Sequence, residues 1–438
     1  MPHDISITSR PPNGMRDALR YTVIPLVFMF TLPSATIVTW LIVAHFDGSI
    51  VAFASAPLGK IFQLWPRPDW TAVCIISVWV VLQTFLLRSL PGRLHVGPAT
   101  PAGAHVTYRL NGVPAFLVTI VCFYLGAYHF AWFPPTIVYD HFGAVLMTCN
   151  LMALLCSFLL YFKGLRMPPS ADTGTTGWRV WDFYWGTELH PRVFGIDLKQ
   201  LVICRLAMMG WSVVVLSCVA KQIESTGRLS NALAVAAALQ LVYIFKFFCW
   251  ESGYFNTLDV MHYRFGFRNF WGVTSWLPAI YAIVPLYLAG HPGDLPSAAA
   301  LGILAFGLAA IWLNYDADVQ RQRVRATGGN TTVWGRKPAV LPASYQTSDG
   351  ARHQTVLLVA GWWGLARHFH YVPEMMIAVS WTLPAGFDHA LPWFYVVYLI
   401  MLLMHRAAYD DRRCLEKYGH IWEVYCARVP YRVIPFAY

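Results

Sequence analysis

The chain has 438 residues, 57% of them hydrophobic and only 12% charged, and its mean hydropathy of +0.47 leaves too little polar surface to solvate a globule of this size. It belongs in a bilayer. The formal net charge of +10 would suit nucleic acid, but the basic residues lie between apolar runs without any long Lys/Arg block or RNA-binding signature, so that partner is excluded and membrane topology accounts for the charge.

Arg10, Arg16 and Arg20 precede an apolar run from Tyr21 to Phe46. The run is longer than a signal-peptide core and has no convincing small-residue cleavage site, so it reads as the first membrane helix behind a cytoplasmic segment 1–20. A crossing needs about 20 apolar residues. Further candidates follow at 69–87, 114–134, 143–162, 201–219, 231–250, 272–290, 298–314, 355–383 and 391–404, ten in all with the first. The run 355–383 is broken by Pro373 and holds Arg367 and His368, and 391–404 is short. Discontinuous helices of this kind occur where backbone lines a cavity. The expected fold is therefore all-α: a polytopic integral membrane protein of about ten helices, some discontinuous near the C-terminus. One membrane domain spans 1–438, with N-terminal helices in 21–250 and a functional C-terminal half in 251–438.

Positive residues between the spans test the orientation, because cytoplasmic loops retain them. With the N-terminus cytoplasmic, the opposite side collects only Lys60, Arg67, Lys221 and Arg228. This asymmetry predicts an even number of crossings, with both termini and a long 315–354 loop in the cytoplasm. The nine cysteines are odd in number, lack a C-x-x-C and sit mostly in apolar stretches, which argues against a disulfide framework or structural zinc.

Ionisable groups in or beside apolar spans are functional candidates because burying them is costly. Arg205, Lys246, Glu251, Asp259, Arg367 and His368 qualify, although Arg205 and Lys246 read equally well as a buried ion pair or as side chains reaching for headgroups. Glu251, Tyr254, Asp259 and His262 cluster in CWESGYFNTLDVMHYRFGF just after a span, as the mouth of a polar pocket would require. In the tail, Arg406, Asp410, Arg413 and Lys417 recur at four, three and four residues, one face of a helix. Such a face suits a di- or triphosphate-like ligand, and equally a juxtamembrane helix on anionic membrane lipids. Arg321 and Arg325 repeat the four-residue spacing after an earlier span.

No G-x-G-x-x-G follows a strand and no P-loop is present, so any dinucleotide must bind among helices. G-x-S-x-G, H-E-x-x-H and sets of metal-ligand spacing are also absent, and no metal is expected. His368 and His370, two apart, would point to different sides of a helix.

Several long strings resemble the sterol reductase family, which includes the C-14 reductases, the lamin B receptor and the delta-7 reductases. They are KFFCWESGYFNTLDVMHYRFGF (Lys246 to Phe267), TVWGRKP (Thr332 to Pro338), LLVAGWWGLARHFHYVPE (Leu357 to Glu374) and the tail from Leu391 to Pro435, with GWRVWDFYWGTELHPR (Gly177 to Arg192) upstream. The delta-7 subgroup, plant type, is the nearest likeness: His370 and Glu374 stand where many C-14 reductases have Asn and Asp. Tyr263 and Tyr409 depart from the family strings, which have Asp and a basic residue there. The resemblance implies NADPH held by Arg321, Arg325, Trp363, His370, Arg406, Arg413, Lys417 and Tyr418, and a proton-donating pair carried onto Tyr254 and Asp410. The surplus of cations also suits a cofactor with a 2′-phosphate beside its pyrophosphate. The implied reaction is protonation of a sterol double bond, most simply the delta-7 bond of a 5,7-diene, and capture of the cation by hydride. C-14 reduction, a membrane methyltransferase of the isoprenylcysteine type and a non-enzymatic sterol-binding scaffold are the competing readings. The expected membrane is the endoplasmic reticulum in a eukaryote or the inner membrane in a bacterium.

Overall fold

A computed structural model describes residues 14–167 and 172–438; the expectations for Arg10 and the rest of the first 13 positions lie outside the described residues. Among the described residues, nine helices are long and apolar enough to cross a bilayer. They are α1 (Met15–His45), α2 (Trp70–Ser89), α3 (Gly112–His129), α4 (Phe142–Arg166), α5 (Gln200–Thr226), α6 (Asn231–Cys249), α7 (Phe267–Gly290), α8 (Ser297–Ala326) and, last in the chain, Leu391–Tyr418. Local chemistry sets several of their ends. Asp69 accepts the Ala72 N–H at 2.6 Å to start α2, Ser230 accepts that of Leu233 at 3.2 Å to start α6, and Gly227, at φ 72°, stops α5. Burial ranks the helices: 72% of the apolar windows of α5 and α7 is buried, against 22% for α1 and α2, so the former are the pillars around which the rest pack.

The expected span 355–383 is not one helix. Strand β1 (Val340–Gln346) pairs antiparallel with β2 (Arg352–Leu358), Val340 opposite Leu358 and Gln346 opposite Arg352. A short apolar run such as TVLLV fits a strand as well as a helix, and pairing decides between them. After a turn at Gly361 (φ 62°), the chain passes through irregular backbone at Arg367–His370 and enters α9 (Tyr371–Thr382). Its 12 residues reach about 18 Å, short of a full crossing. It begins beside Asn314, whose amide donates to the His370 carbonyl at 2.9 Å, and descends along α8. Gly307 of α8 permits the approach: a Cβ there would lie 2.6 Å from Leu239 and 2.8 Å from Ser380 side-chain atoms.

Two further expected boundaries shift. The helix α10 (Phe394–Tyr418) runs well beyond residue 404, and the helix expected for Arg321 and Arg325 within the 315–354 loop is the continuation of α8 to Ala326, followed by a hairpin. With the short α9 counted as a partial crossing, the described residues hold ten apolar helices in the bundle. At one end of the bundle Asp47 accepts from His291 at 2.8 Å, and Tyr287 meets the ring of His389 at 2.8 Å. The same end carries the Lys221–Asp140 pair. Both ends of the described chain lie at the opposite, cation-rich end. There the turn of an upstream hairpin, Arg93–Ala99 with His105–Leu110, touches the β1–β2 turn: Ser348 donates its N–H and Oγ–H to the Pro101 carbonyl at 3.0 and 2.7 Å.

Arg205 and Glu251 form a buried pair, 2.6 Å apart and 0% and 3% exposed. The guanidinium also donates to Asn111 Oδ1 at 2.8 Å, and Glu251 Oε2 accepts the Gly112 N–H at 3.0 Å, so one cluster ties α3, α5 and the segment after α6. Arg205→Met strands the carboxylate and is expected to cost about 3–5 kcal/mol, while the double variant Arg205→Met/Glu251→Met costs less. Thermal denaturation of the detergent-solubilised protein checks the order.

Candidate active site

The site is assembled from four stretches: the segment after α6, the end of α8, the irregular backbone before α9, and the last three turns of α10. Lys199, 1% exposed, pins the first by donating to the carbonyls of Asp259, Val260 and Tyr263 at 3.2, 2.6 and 2.6 Å. Gly266 closes it from behind, since a Cβ there would stand 2.3 Å from the backbone nitrogen of Gly186.

A clasp fixes the opposite wall. Arg367 reaches Asp411 with Nε and Nη2, both at 3.2 Å, and the carbonyls of Val429 and Pro430 with Nη1 at 2.8 and 2.9 Å. Arg432 also donates to Asp411, and the His368 N–H donates to the Arg432 carbonyl at 2.8 Å. Arg367 is thus a structural anchor, and the tail beyond α10 folds back behind the site. His368 and His370 sit on a turn, so the expected helical divergence does not occur: their rings lie 6.3 Å apart and 34° inclined.

Between these walls is a cavity of about 1080 Å³. One part is lined by flat apolar groups, Phe28 and Leu32 of α1 with Trp181, Trp271 and Trp276. The other is polar and includes Tyr254, Asp259, His262, His370, Glu374 and Arg406. Arg406 pairs with Asp259, and Arg413 donates to Nε2 of His262. Arg321 stacks 4.0 Å over Trp363 and lies 3.7 Å from Asp318, and Trp363 is itself fixed by donating to the Ala317 carbonyl at 2.7 Å. Lys417 sits 3.6 Å over the Tyr345 ring and 5.3 Å from that of Tyr418, within the field of Arg325 and Arg413. The two cationic faces expected on separate helices therefore converge. Arg321, Arg325, Arg406, Arg413 and Lys417 gather around Asp259, Asp318 and Asp410, so positive charge is in excess beside stacked aromatic rings.

Burial, reinforced by Arg413 and Lys417, holds the His262 imidazole well below its ordinary pKa, so the ring is neutral. With Nε2 accepting from Arg413, its proton sits on Nδ1, a buried atom with no hydrogen-bond partner among the described residues. Burial and then Asp259 push the Tyr254 phenol far above its ordinary value, so it keeps its proton in the cavity wall. Asp410 accepts from His368 Nε2 at 3.2 Å and stands 3.8 Å from Arg413. It lies outside the cavity lining, and no hydrogen bond joins it to Tyr254; the carboxylate acting on that phenol is Asp259.

The two departures from the family strings, Tyr263 and Tyr409, prove to be neighbours in the cavity wall, with ring centroids 6.4 Å apart. Sequence reasoning gave no site role to Asp318, Asn314, Tyr243 or Glu374. Asp318 had a signal, an acid three residues before Arg321 on one helix face. The pairing of Tyr243 with Glu374, 131 residues apart, had none.

The sequence profile of the Ergosterol biosynthesis ERG4/ERG24 family matches residues 20–438. The chain belongs to this sterol reductase family. It is 43% identical to the 7-dehydrocholesterol reductase of Arabidopsis thaliana over 93% of this chain and 95% of that protein. Against the 7-dehydrocholesterol reductase of Xenopus laevis the identity is 37% over 87% and 83%. Against the Delta(14)-sterol reductase of Methylotuvimicrobium alcaliphilum it is 34% over 94% of each. Reduced nicotinamide is the hydride source of the family, whose members are oxidoreductases. The residues present suit that group: guanidinium and ammonium donors for phosphate oxygens, backed by the rings of Trp363, Tyr345 and Tyr418.

Proposed function

We propose that this protein reduces the delta-7 double bond of a 5,7-diene sterol with NADPH, inside a membrane. The observation that carries the reading is one cavity with a protonated phenol, Tyr254, in its wall, large enough for a fused-ring lipid, adjoining five clustered cations. Arg321, Arg325, Arg413 and Lys417 are the residues that would hold the pyrophosphate and 2′-phosphate. Trp363, His370 and Tyr418 would flank the rings, and Arg406 would steady the Asp259 side of the mouth. The bound cofactor supplies a hydride to the substrate.

The chain's own work is the proton. An unpolarised alkene accepts hydride poorly, so Tyr254 gives its O–H proton to one alkene carbon and leaves a cation on the other, allylic in a conjugated diene. Arg406 stabilises the phenolate that remains, and the indole-lined part of the cavity keeps water from the cation. Asp410, with His368, orients the cation-rich wall, and Asp259, the carboxylate beside Tyr254, is the group placed to return the proton to the phenol. Excess positive charge favours a cofactor with an extra phosphate over NADH.

Purified protein incubated with NADPH and, separately, 5,7-diene, 8,14-diene and side-chain alkene sterols tests the reading by product identification. Loss of the delta-7 bond alone is the expected result. Reduction confined to the 8,14-diene would replace it with C-14 reduction, the activity named for the bacterial relative. Thermal stabilisation by S-adenosylmethionine in place of NADPH would point to methyl transfer, and turnover of no sterol would leave a scaffold.

A further inference from the structure

Beyond the cation-rich mouth, the wall formed by α6, α8 and α9 carries a band of polar groups facing the cavity. Most are paired within the protein, while Asp318 Oδ1 and His370 Nδ1 are buried without a hydrogen-bond partner among the described residues. Lys246 donates to the Asn314 side-chain oxygen and lies 4.0 Å from Asp318, and Asn314 donates onward to the His370 carbonyl. Tyr243 donates its O–H to Oε1 of Glu374 at 2.6 Å. The remaining oxygen of Glu374 has no hydrogen-bond partner among the described residues, although the side chain lines the cavity. A carboxyl group at membrane depth is costly, and an acceptor left over there calls for a donor from whatever fills the space.

The order of side chains along α6 gives that donor a place. Phe247 lies one helical turn, about 5.4 Å, from Tyr243, and its ring centroid is 4.9 Å from that of Tyr254. All three line the cavity. The wall therefore reads acceptor, flat apolar ring, phenol. A sterol has the matching order: its one polar group is the hydroxyl on ring A, followed by apolar ring carbons and then the diene of ring B. We infer that Glu374, oriented by Tyr243, receives the ring-A hydroxyl of the sterol and so fixes which alkene carbon meets Tyr254. The inference rests on the sterol reading proposed above. It makes Glu374 a specificity-determining residue, with Phe247 as the floor under rings A and B.

The test compares a 5,7-diene sterol carrying the ring-A hydroxyl with the same diene lacking oxygen at that carbon. A hydrogen bond to a carboxyl acceptor is worth roughly a tenfold preference in kcat/KM. The unaltered protein is expected to show that preference, Glu374→Leu to bring it near one, and Tyr243→Phe to leave an intermediate value. Should Glu374→Leu not survive purification, Glu374→Gln carries the test, because a neutral amide accepts more weakly and the preference should fall several-fold. A preference that persists in the Glu374 variants, or that the unaltered protein never shows, overturns the inference. So does a tenfold rise in KM for NADPH in Tyr243→Phe and Glu374→Gln, which would assign the pair to the cofactor. Equilibrium binding of the two dienes without NADPH separates this from the reaction itself. Discrimination in binding with no reduction keeps the subsite and rejects the reaction; reduction without discrimination does the reverse.

Discussion

Tyr254→Phe is expected to lower kcat for sterol reduction by about two to four orders of magnitude, the usual range for a positioned acid, while KM for NADPH stays within about twofold. The phenol is a protonated group in the cavity wall, and its ring packs on Phe247 rather than on the cation cluster, so removing the oxygen takes away a proton and little binding. Asp410→Asn is expected to abolish turnover as well, but with a different signature. Asp410 faces Arg321 and Arg413, so neutralising it leaves the phosphate side more positive, and NADPH should bind equally or more tightly. Steady-state kinetics with a separate measurement of NADPH affinity distinguishes the two. Unchanged turnover in Asp410→Asn would show that this residue is not needed for the reaction and leave Asp259, the carboxylate facing Tyr254, as the acid that serves the phenol.

The second large effect comes from the cations. Arg413→Met is expected to raise KM for NADPH about tenfold to hundredfold, the loss of a charge-assisted contact. The cofactor-free protein should gain at most a little stability, because relief from the fields of Lys417 and of other like charges is offset by the loss of the Asp410 and His262 contacts. Added salt should narrow both effects in the partly exposed positions. Arg321→Met should weaken NADPH comparably but gain less stability, since Arg321 also stacks on Trp363 and pairs with Asp318. Whichever variant loses the preference for NADPH over NADH marks the 2′-phosphate. Thermal denaturation with and without cofactor reads both signs in one experiment.

How much of this was legible depended on the kind of signal. The stripe of Arg406, Asp410, Arg413 and Lys417 is local, and its four-three-four spacing is enough by itself to put those residues on one helix face. The spacing of Arg321 and Arg325 works in the same way. That the two faces turn toward each other required the long-range packing of α8, α9 and α10. The run from Thr355 to Leu383 misled because apolar content alone does not separate a strand followed by a short helix from one broken span; the β1 partner strand decided it. A buried ion pair was one of the readings open for Arg205, whereas the identity of its partner was fixed only by tertiary structure. The pairing of Tyr243 with Glu374 was invisible because an aromatic residue in an apolar run and an acid in the first turn of a helix are each ordinary by themselves.

The clasp around Arg367 gives the extreme C-terminus an influence out of proportion to its chemistry. None of the residues from Val429 onward lines the cavity, yet Val429, Pro430, Tyr431 and Arg432 supply the backbone acceptors that seat Arg367 and His368. Trimming these last ten positions, by a protease or a premature stop codon, would spare every side chain proposed to bind phosphate while letting the imidazole behind Asp410 drift. Damage at that extremity would therefore present as an enzyme that still captures its coenzyme but turns over poorly.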